Sequence, residues 1–97
     1  MSLRGQPVEQ TASLPDGREI RVRVSVPDDP YIPRRELETV DVELFNGDRA
    51  LAAVNTVLRP QQESEALALA REIVAGLESG RLEPTAAAIE PFADEPR

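Results

Sequence analysis

Apolar and polar residues alternate along three stretches of this chain, and this period of two is typical of half-buried β-strands. The clearest stretch runs from Glu19 to Val26, where isoleucine or valine occupies every second position. A similar alternation covers the ranges 8–14 and 38–45. The pattern therefore predicts three strands, each with one buried face and one face in water.

Two turn motifs and one proline-rich stretch separate these strands. In the motif Leu-Pro-Asp-Gly at residues 14–17 the proline fixes φ and the glycine accepts the left-handed conformation, which predicts a hairpin. Asn46-Gly47 suits a two-residue type I′ turn, because both central residues of that turn need positive φ. The second hairpin therefore joins the third strand to a fourth. Three prolines between residues 27 and 33 exclude a regular strand there and predict a structured loop.

The predicted fourth strand, from Arg49 to Leu58, differs from the others because both of its faces are largely apolar. Such a strand is covered on both sides or meets another subunit. Asn55 and Thr56 interrupt it, and one of them must face a buried surface, where an unpaired polar group costs about 1 to 3 kcal/mol. A bond to neighbouring backbone is the simplest account; a role in register, in an interface or in a small pocket stays open. One predicted face contains Leu51, Ala53 and Val57, and the other contains Ala50, Ala52, Val54 and Leu58.

Residues 60–80 have the period of an amphipathic helix. Pro60 suits the first position of a helix, where its missing N–H is not needed, and Gly80 suits the left-handed residue that ends one. Leu82 is expected to pack back against the last turn. The apolar stripe of this helix contains Ala66, Leu69, Ala70, Ile73, Val74 and Leu77.

Beyond Pro84 the pattern predicts one short helical turn from Thr85 to Ile89, with Ile89 and Phe92 as apolar anchors. Residues 94–97 are expected to be disordered, as chain termini often are. We therefore interpret residues 83–97 as a partly ordered tail and residues 1–7 as a loose lead-in.

Together these elements predict a single small domain of the α+β class over residues 1–97. Its architecture is a two-layer sandwich, in which a four-stranded antiparallel sheet of two consecutive hairpins is followed by one amphipathic helix and a short C-terminal segment. A chain of 97 residues has the size of one domain. The pattern does not determine the order of the strands in the sheet.

The composition removes several classes of chemistry. The sequence contains no cysteine and no histidine, which excludes disulfides, thiolate zinc sites and the commonest general base. No motif for a phosphate, a dinucleotide or a nucleophile is present, and no cofactor is predicted. The net charge of −7 disfavours nucleic acid and anionic membranes as partners. No apolar run is long enough for a membrane helix, so a cytoplasmic protein is expected.

The arginines of the second strand and the acids of the proline-rich loop can each be interpreted as a binding site or as ordinary surface residues. Arg21 and Arg23 suit a phosphate-binding face, but we expect them to stand opposite Asp41 and Glu43 in a cross-strand ladder, because no aromatic platform accompanies them. The acids within residues 28–38 lack the spacing of a calcium loop and are interpreted as turn formers.

Tyr31 is the single tyrosine and lies in the proline-rich loop. It is the best candidate for a binding anchor, since loops often carry function and tyrosine is favoured at interfaces. The alternative, slightly favoured, is that Tyr31 and Ile32 cap the edge of the core.

Three functions remain, in this order. The first is a non-catalytic protein interaction module that self-associates as a homodimer or binds another protein, because one helix does not cover the apolar second face of the fourth strand. The second is a small-molecule-binding regulatory domain with a pocket between helix and sheet. The third is a carboxylate-dependent enzyme, although no acid lies within an apolar run that would bury it. The residues predicted for an interface or a binding site are Tyr31, Ile32, Leu51, Val54, Asn55, Val57, Ile89 and Phe92.

Overall fold

The structure, a computed structural model, describes residues 7–26, 39–59 and 61–94. Four antiparallel strands form one sheet, in the order in which they occur along the chain, and two helices follow. The predicted α+β class with a four-stranded antiparallel sheet is therefore confirmed. The strands are β1 (Val8–Ser13), β2 (Glu19–Ser25), β3 (Asp41–Asn46) and β4 (Arg49–Asn55), and the helices are α1 (Glu63–Glu78) and α2 (Ala86–Ala93).

The predicted turn between β1 and β2 is present. The N–H of Leu14 donates to the carbonyl oxygen of Arg18 (2.8 Å), and the N–H of Gly17 donates to that of Leu14 (3.0 Å). Gly17 has a φ of +94°, a left-handed conformation that glycine adopts readily. The side chain of Asp16 accepts bonds from the backbone N–H of Arg18 (3.0 Å) and from its Nε (2.8 Å). These bonds close a three-residue loop and fix the register of the first hairpin.

The turn between β3 and β4 is displaced by one residue from its predicted position. Asn46 belongs to β3 and pairs with Arg49, so the two-residue loop is Gly47-Asp48 instead of Asn46-Gly47. Gly47 has a φ of +62°, whereas the φ of Asp48 is not positive. A glycine with positive φ at the first central position is the pattern of a type II′ turn, so the predicted type I′ turn is wrong.

A β-bulge follows this turn in β4. Leu44 pairs with Ala52 but Phe45 pairs with Ala50, which leaves Leu51 as an extra residue opposite β3. Ala50 therefore lies beside Phe45 on the solvent face of the sheet, and Leu51 packs against the core. The predicted faces of the strand are wrong for Ala50 and Leu51, because an extra residue reverses the alternation that a regular strand would keep.

The core lies between one face of the sheet and the two helices. α1 packs across β1 and β2, and α2 packs against β4. The predicted apolar stripe of α1 is buried except at Val74, which is half-buried. The main contributors to the core from the sheet are Ala12, Ile20, Val22, Val24, Val42, Leu44 and Val54, and those from the helices are Ala66, Leu69, Ala70, Ile73, Leu77, Ile89 and Ala93.

The start of α1 differs from the prediction. The N–H of Arg59 donates to Oε1 of Gln62 (2.8 Å), and the N–H of Gln62 donates to the carbonyl oxygen of Arg59 (3.0 Å). These reciprocal bonds form a turn ahead of the helix, which begins at Glu63 and not at Pro60. The end of α1 is as predicted, with a left-handed glycine and a leucine that packs back against the last turn.

The C-terminal segment is more regular than expected. α2 spans eight residues instead of one turn, and the hydroxyl of its N-cap Thr85 accepts a hydrogen bond from the N–H of Ala88 (3.3 Å). Ile89, one of the predicted anchors, is only 1% exposed. Asp94 caps the helix, and the disorder predicted for residues 95–97 lies outside the described residues. Neither described helix has the length and apolar character needed to cross a bilayer.

The register between β2 and β3 corrects the expected ion-pair ladder. Arg23 stands opposite Glu43 as predicted, but Arg21 stands opposite Phe45 and not opposite an acid. The guanidinium carbon of Arg21 lies 4.8 Å from the centre of the Phe45 ring, which is a cation–π contact. The Nε of Arg23 is 3.8 Å from Oε1 of Glu9 on β1. Arg21 therefore contacts the Phe45 ring on β3, whereas Arg23 lies beside an acid on β1, Glu9.

Candidate interaction surface

β4 forms one edge of the sheet, because β3 is its only neighbour within the described ranges. From Ala50 to Leu58 the sequence contains no charged side chain. Edge strands present unpaired N–H and C=O groups, and proteins usually protect them with charges, bulges or covering elements. We define residues 50–58 as the β4 edge.

The backbone groups of β4 alternate between β3 and the open side. The N–H of Thr56 donates to the carbonyl oxygen of Val40 (2.8 Å), so Thr56 is directed towards β3. In an antiparallel strand the N–H and C=O of one residue point to the same side, and those of the next residue point to the other. The backbone groups of Ala53 and Asn55 are therefore directed to the open side, and both side chains are exposed.

Two features limit this open stretch. The N–H of Val57 donates to the carbonyl oxygen of Ala93 at the end of α2 (3.2 Å), so this position of the edge is already occupied. At the other end the bulge at Leu51 bends the strand and interrupts its alternation. The open backbone therefore consists of Ala53 and Asn55.

The side chains of the β4 edge differ in how firmly they are held. Val57 is 46% exposed, the only large hydrophobic residue of the described chain with so much accessible surface. The side chain of Asn55 accepts a hydrogen bond from the hydroxyl of Thr39 (3.0 Å) and donates one to Oδ1 of Asp41 (2.9 Å). Asn55 is thus fixed on the solvent face, away from the helices, and does not line a pocket between helix and sheet.

The opposite edge of the sheet, β1, carries negative charge. The N–H of Ser13 donates to Oε2 of Glu78 on α1 (3.3 Å). Glu9 is exposed on the same strand. Two copies that met along β1 would bring the Glu78 carboxylate of each copy to the shared edge, where like charges are destabilising, whereas the charge of Glu9 is offset by Arg23. Of the two edges, β4 is therefore the one more open to pairing.

Of the two polar residues that interrupt the predicted fourth strand, Thr56 is the buried one, and its hydroxyl is hydrogen-bonded. It is 2% exposed, and its hydroxyl donates to the carbonyl oxygen of Val40 (2.8 Å) and accepts a bond from the N–H of Leu58 (3.1 Å). The expectation that a side-chain bond to neighbouring backbone accounts for the polar residue is confirmed.

The residues that the sequence predicts for an interface are dispersed in the structure. Val54 and Ile89 are 9% and 1% exposed and belong to the core, so in the isolated chain they supply no surface. Asn55 and Val57 are exposed at the β4 edge and stay candidates. Leu51 and Phe92 are half-buried, and Tyr31 and Ile32 lie outside the described residues.

A surface groove of about 450 Å³ separates the two helices. It lies between helices, whereas the pocket predicted from the sequence lies between helix and sheet. The Nε of Arg81 donates to the hydroxyl oxygen of Ser79 (3.1 Å). The lining is Glu72, Ala75, Gly76, Arg81, Leu82 and Phe92.

The acidic residues of the described ranges form no group of three that is placed to hold a metal ion. The titration of Asp16 is altered by its local bonds. The pKa of Asp16 is lowered from its ordinary value, chiefly by the hydrogen bond from the backbone N–H of Arg18. Desolvation opposes this effect, and the bond and charge of the Arg18 guanidinium add to it.

Two residues that define the β4 edge have no signal in the sequence. Ala53 is predicted only as a member of an apolar face, and no role is assigned to Ala93. Both act through their backbone groups, which are the same in almost every residue type. The signal that the sequence does carry is the uncharged run at residues 50–58.

Comparison of this chain with models of protein families, with curated proteins and with solved structures finds no match.

Proposed function

We propose that this chain is a non-catalytic protein interaction module that self-associates as a homodimer through the β4 edge. The observation that supports the proposal is the β4 edge, which contains no charged residue from Ala50 to Leu58 and includes the exposed side chain of Val57. An open strand edge offers main-chain hydrogen bonds to a partner, and an exposed apolar side chain adds surface that leaves water on binding.

The distribution of charge supports this surface over others. The chain has a net charge of −7, so two copies repel each other over much of their surface. Residues 50–58 contain no charged side chain, whereas the β1 edge brings the carboxylate of Glu78. Self-association is therefore least opposed at β4.

The proposed module is non-catalytic and cytoplasmic. Without histidine and cysteine the chain lacks the two side chains that most often serve as base and nucleophile near neutral pH. A cytoplasmic location agrees with the lack of cysteine, since disulfides are common in oxidising compartments.

The proposal is tested by size-exclusion chromatography with light scattering across a tenfold range of concentration. We expect the mass to rise from monomer towards dimer as the concentration increases. Val57→Asp places a carboxylate in the contact and is expected to shift the protein to monomer. A wild-type protein that stays monomeric over the whole range contradicts the proposal.

Thr11→Asp is the matched control for this variant. Thr11 is exposed on β1, the other edge strand, so the substitution adds the same charge at a distance from the proposed contact. Its mass profile is expected to follow that of the wild-type protein. If both variants dissociate the dimer equally, the effect comes from net charge and not from the β4 edge.

A second candidate function is supported by the groove between α1 and α2. Its volume of about 450 Å³ is within the range of ligand pockets, and Arg81 places a guanidinium in its lining. The chemistry fits a small apolar carboxylate, whose chain contacts Leu82 and Phe92 while its charge meets Arg81.

This second function is tested by titrating octanoate into the protein and recording backbone amide NMR signals. Shifts are expected at Gly76 and Leu82, and they are expected to weaken in Arg81→Gln. Signals that do not move at millimolar octanoate remove the candidate.

A further inference from the structure

We propose that β4 pairs antiparallel with β4 of a second copy about a two-fold axis that passes beside Val54, so that Ala53 faces Asn55 of the other copy. The inference rests on the proposed self-association and adds the register of the contact. It follows from the directions of the backbone groups and from the two features that limit the open stretch.

The open backbone groups determine how many hydrogen bonds each register forms. Ala53 and Asn55 are the open residues, and each offers one N–H and one C=O. With the axis at Val54, the N–H of Ala53 donates to the carbonyl oxygen of Asn55 in the second copy and its own carbonyl accepts in return. The symmetric pair repeats this exchange, which gives four hydrogen bonds.

Other two-fold registers form fewer bonds. With the axis at Ala53, this residue pairs with itself and Asn55 faces the bulged residue Leu51, where regular alternation is lost. With the axis at Asn55, Ala53 faces Val57, whose N–H is already bonded to Ala93. Each of these registers leaves one open residue without a regular partner.

The shape of the chain at both ends of the contact agrees with the axis at Val54. In this register Val57 faces Leu51 of the second copy. The end of α2 occupies the edge at Val57 through Ala93, so a straight partner strand would meet this helix there. A bulge bends a strand, and Leu51 is the bulged residue. The partner strand therefore bends at the position where the helix requires space.

A second copy suits this edge better than a charged segment of another protein. Residues 50–58 are uncharged, so the two edges approach without bringing like charges together at the contact. The small side chain of Ala53 leaves room for Asn55 of the second copy, whose own side chain is held by Thr39 and Asp41. The contact joins two four-stranded sheets into one of eight strands and, being short, predicts a dimer that dissociates on dilution.

The test uses disulfide formation, because the natural sequence contains no cysteine and each single variant therefore has one thiol. Ala53→Cys and Asn55→Cys are oxidised separately and as an equal mixture, under conditions in which light scattering shows dimer. Directly opposed residues of a hydrogen-bonded pair have Cα atoms about 5.5 Å apart, within the range of a disulfide. Identical positions lie on a diagonal at more than about 7 Å, outside most of that range.

We expect the mixture to cross-link and neither variant alone to do so. Cross-linking of Ala53→Cys alone places the axis at Ala53, and cross-linking of Asn55→Cys alone places it at Asn55; either result overturns the register. A dimeric mass without any cross-link overturns pairing at β4 but leaves self-association intact. A monomeric mass overturns the proposed function and this inference with it.

Two controls keep the result interpretable. Thr11→Cys on β1, mixed with either variant, is expected to give no disulfide-linked dimer. Because Asn55 bonds to Thr39 and Asp41, the circular dichroism spectrum and the reduced mass of Asn55→Cys are compared with those of the wild-type protein.

Discussion

Leu82 lies so close to the backbone of Gly76 that a β-carbon built at position 76 would be 2.9 Å from the Cβ of Leu82. The N–H groups of Arg81 and Leu82 both donate to the carbonyl oxygen of Gly76, at 3.1 and 3.0 Å. Gly80, with a φ of +77°, turns the chain back towards the helix. The glycine inside α1 is therefore required by packing, although glycine is a poor helix former.

Gly76→Ala is expected to destabilise the protein. Alanine is favoured over glycine by about 1 kcal/mol in a helix interior, but here its methyl group overlaps Leu82, which must move away from the core. The free energy of unfolding in urea is the measurement. Ala68→Gly, at an exposed position of the same helix, is the reverse control and is expected to lose about 1 kcal/mol. A gain of stability in Gly76→Ala would contradict the close approach.

Thr56→Val is expected to lower the free energy of unfolding by about 1 to 3 kcal/mol, because the N–H of Leu58 loses its buried acceptor. The carbonyl of Val40 keeps the bond from the N–H of Thr56, so the loss falls mainly on Leu58. Thr56→Ser keeps the hydroxyl and is expected to retain most of the stability. Urea unfolding of the three proteins checks this order, and equal stability of Thr56→Val and wild type would show that the hydroxyl is dispensable.

Asp16→Ala is expected to lower the melting temperature at neutral pH and to have less effect in acid. The folded pKa of Asp16 lies below its ordinary value of 3.8, so its bonds to Arg18 stabilise the fold above that value. This contribution is lost as the pH falls through the folded pKa, where wild type and variant should converge. Thermal melts between pH 7 and pH 2 measure the gap.

The control for this prediction is Asp48→Ala in the other hairpin turn, where no hydrogen bond to the side chain is found among the described residues. Its melting temperature at neutral pH is expected to differ less from that of the wild-type protein than the melting temperature of Asp16→Ala does. A gap for Asp16→Ala that does not narrow in acid would contradict the role of the Arg18 bonds.

Ile89→Ala is expected to cost about 2 to 5 kcal/mol of unfolding free energy, because Ile89 is buried in the core. Glu90→Ala, at the exposed neighbouring position of α2, is expected to change stability by less than about 0.5 kcal/mol. Urea unfolding separates the two. A small loss for both variants would mean that α2 is a loosely attached tail, as the sequence suggested.

The sequence predicted the elements whose signals are local. Alternation of apolar residues gave the strands, and glycine and proline gave the first turn and the end of α1. The second turn was displaced by one residue because Asn46-Gly47 and Gly47-Asp48 are both acceptable two-residue loops, and their choice depends on the bulge at Leu51.

What the sequence did not predict depends on pairs that are distant along the chain. The position of Arg21 over Phe45 follows from strand order and register, which alternation alone leaves undetermined. The candidate site was predicted in part: the two largely apolar faces of the predicted fourth strand pointed to β4, and Asn55 and Val57 are exposed there. The limit set by Ala93 requires α2 to be placed in space first.

The bond from Val57 to Ala93 has a consequence for assemblies larger than two. A sheet protein forms fibres when each added copy leaves a fresh edge for the next. Here the last turn of α2 closes one end of β4, and Glu78 binds the backbone of Ser13 on the far strand. In the proposed dimer, pairing through β4 uses up the open edge of each copy, and the Glu78 carboxylate at each outer β1 strand opposes the addition of a further copy.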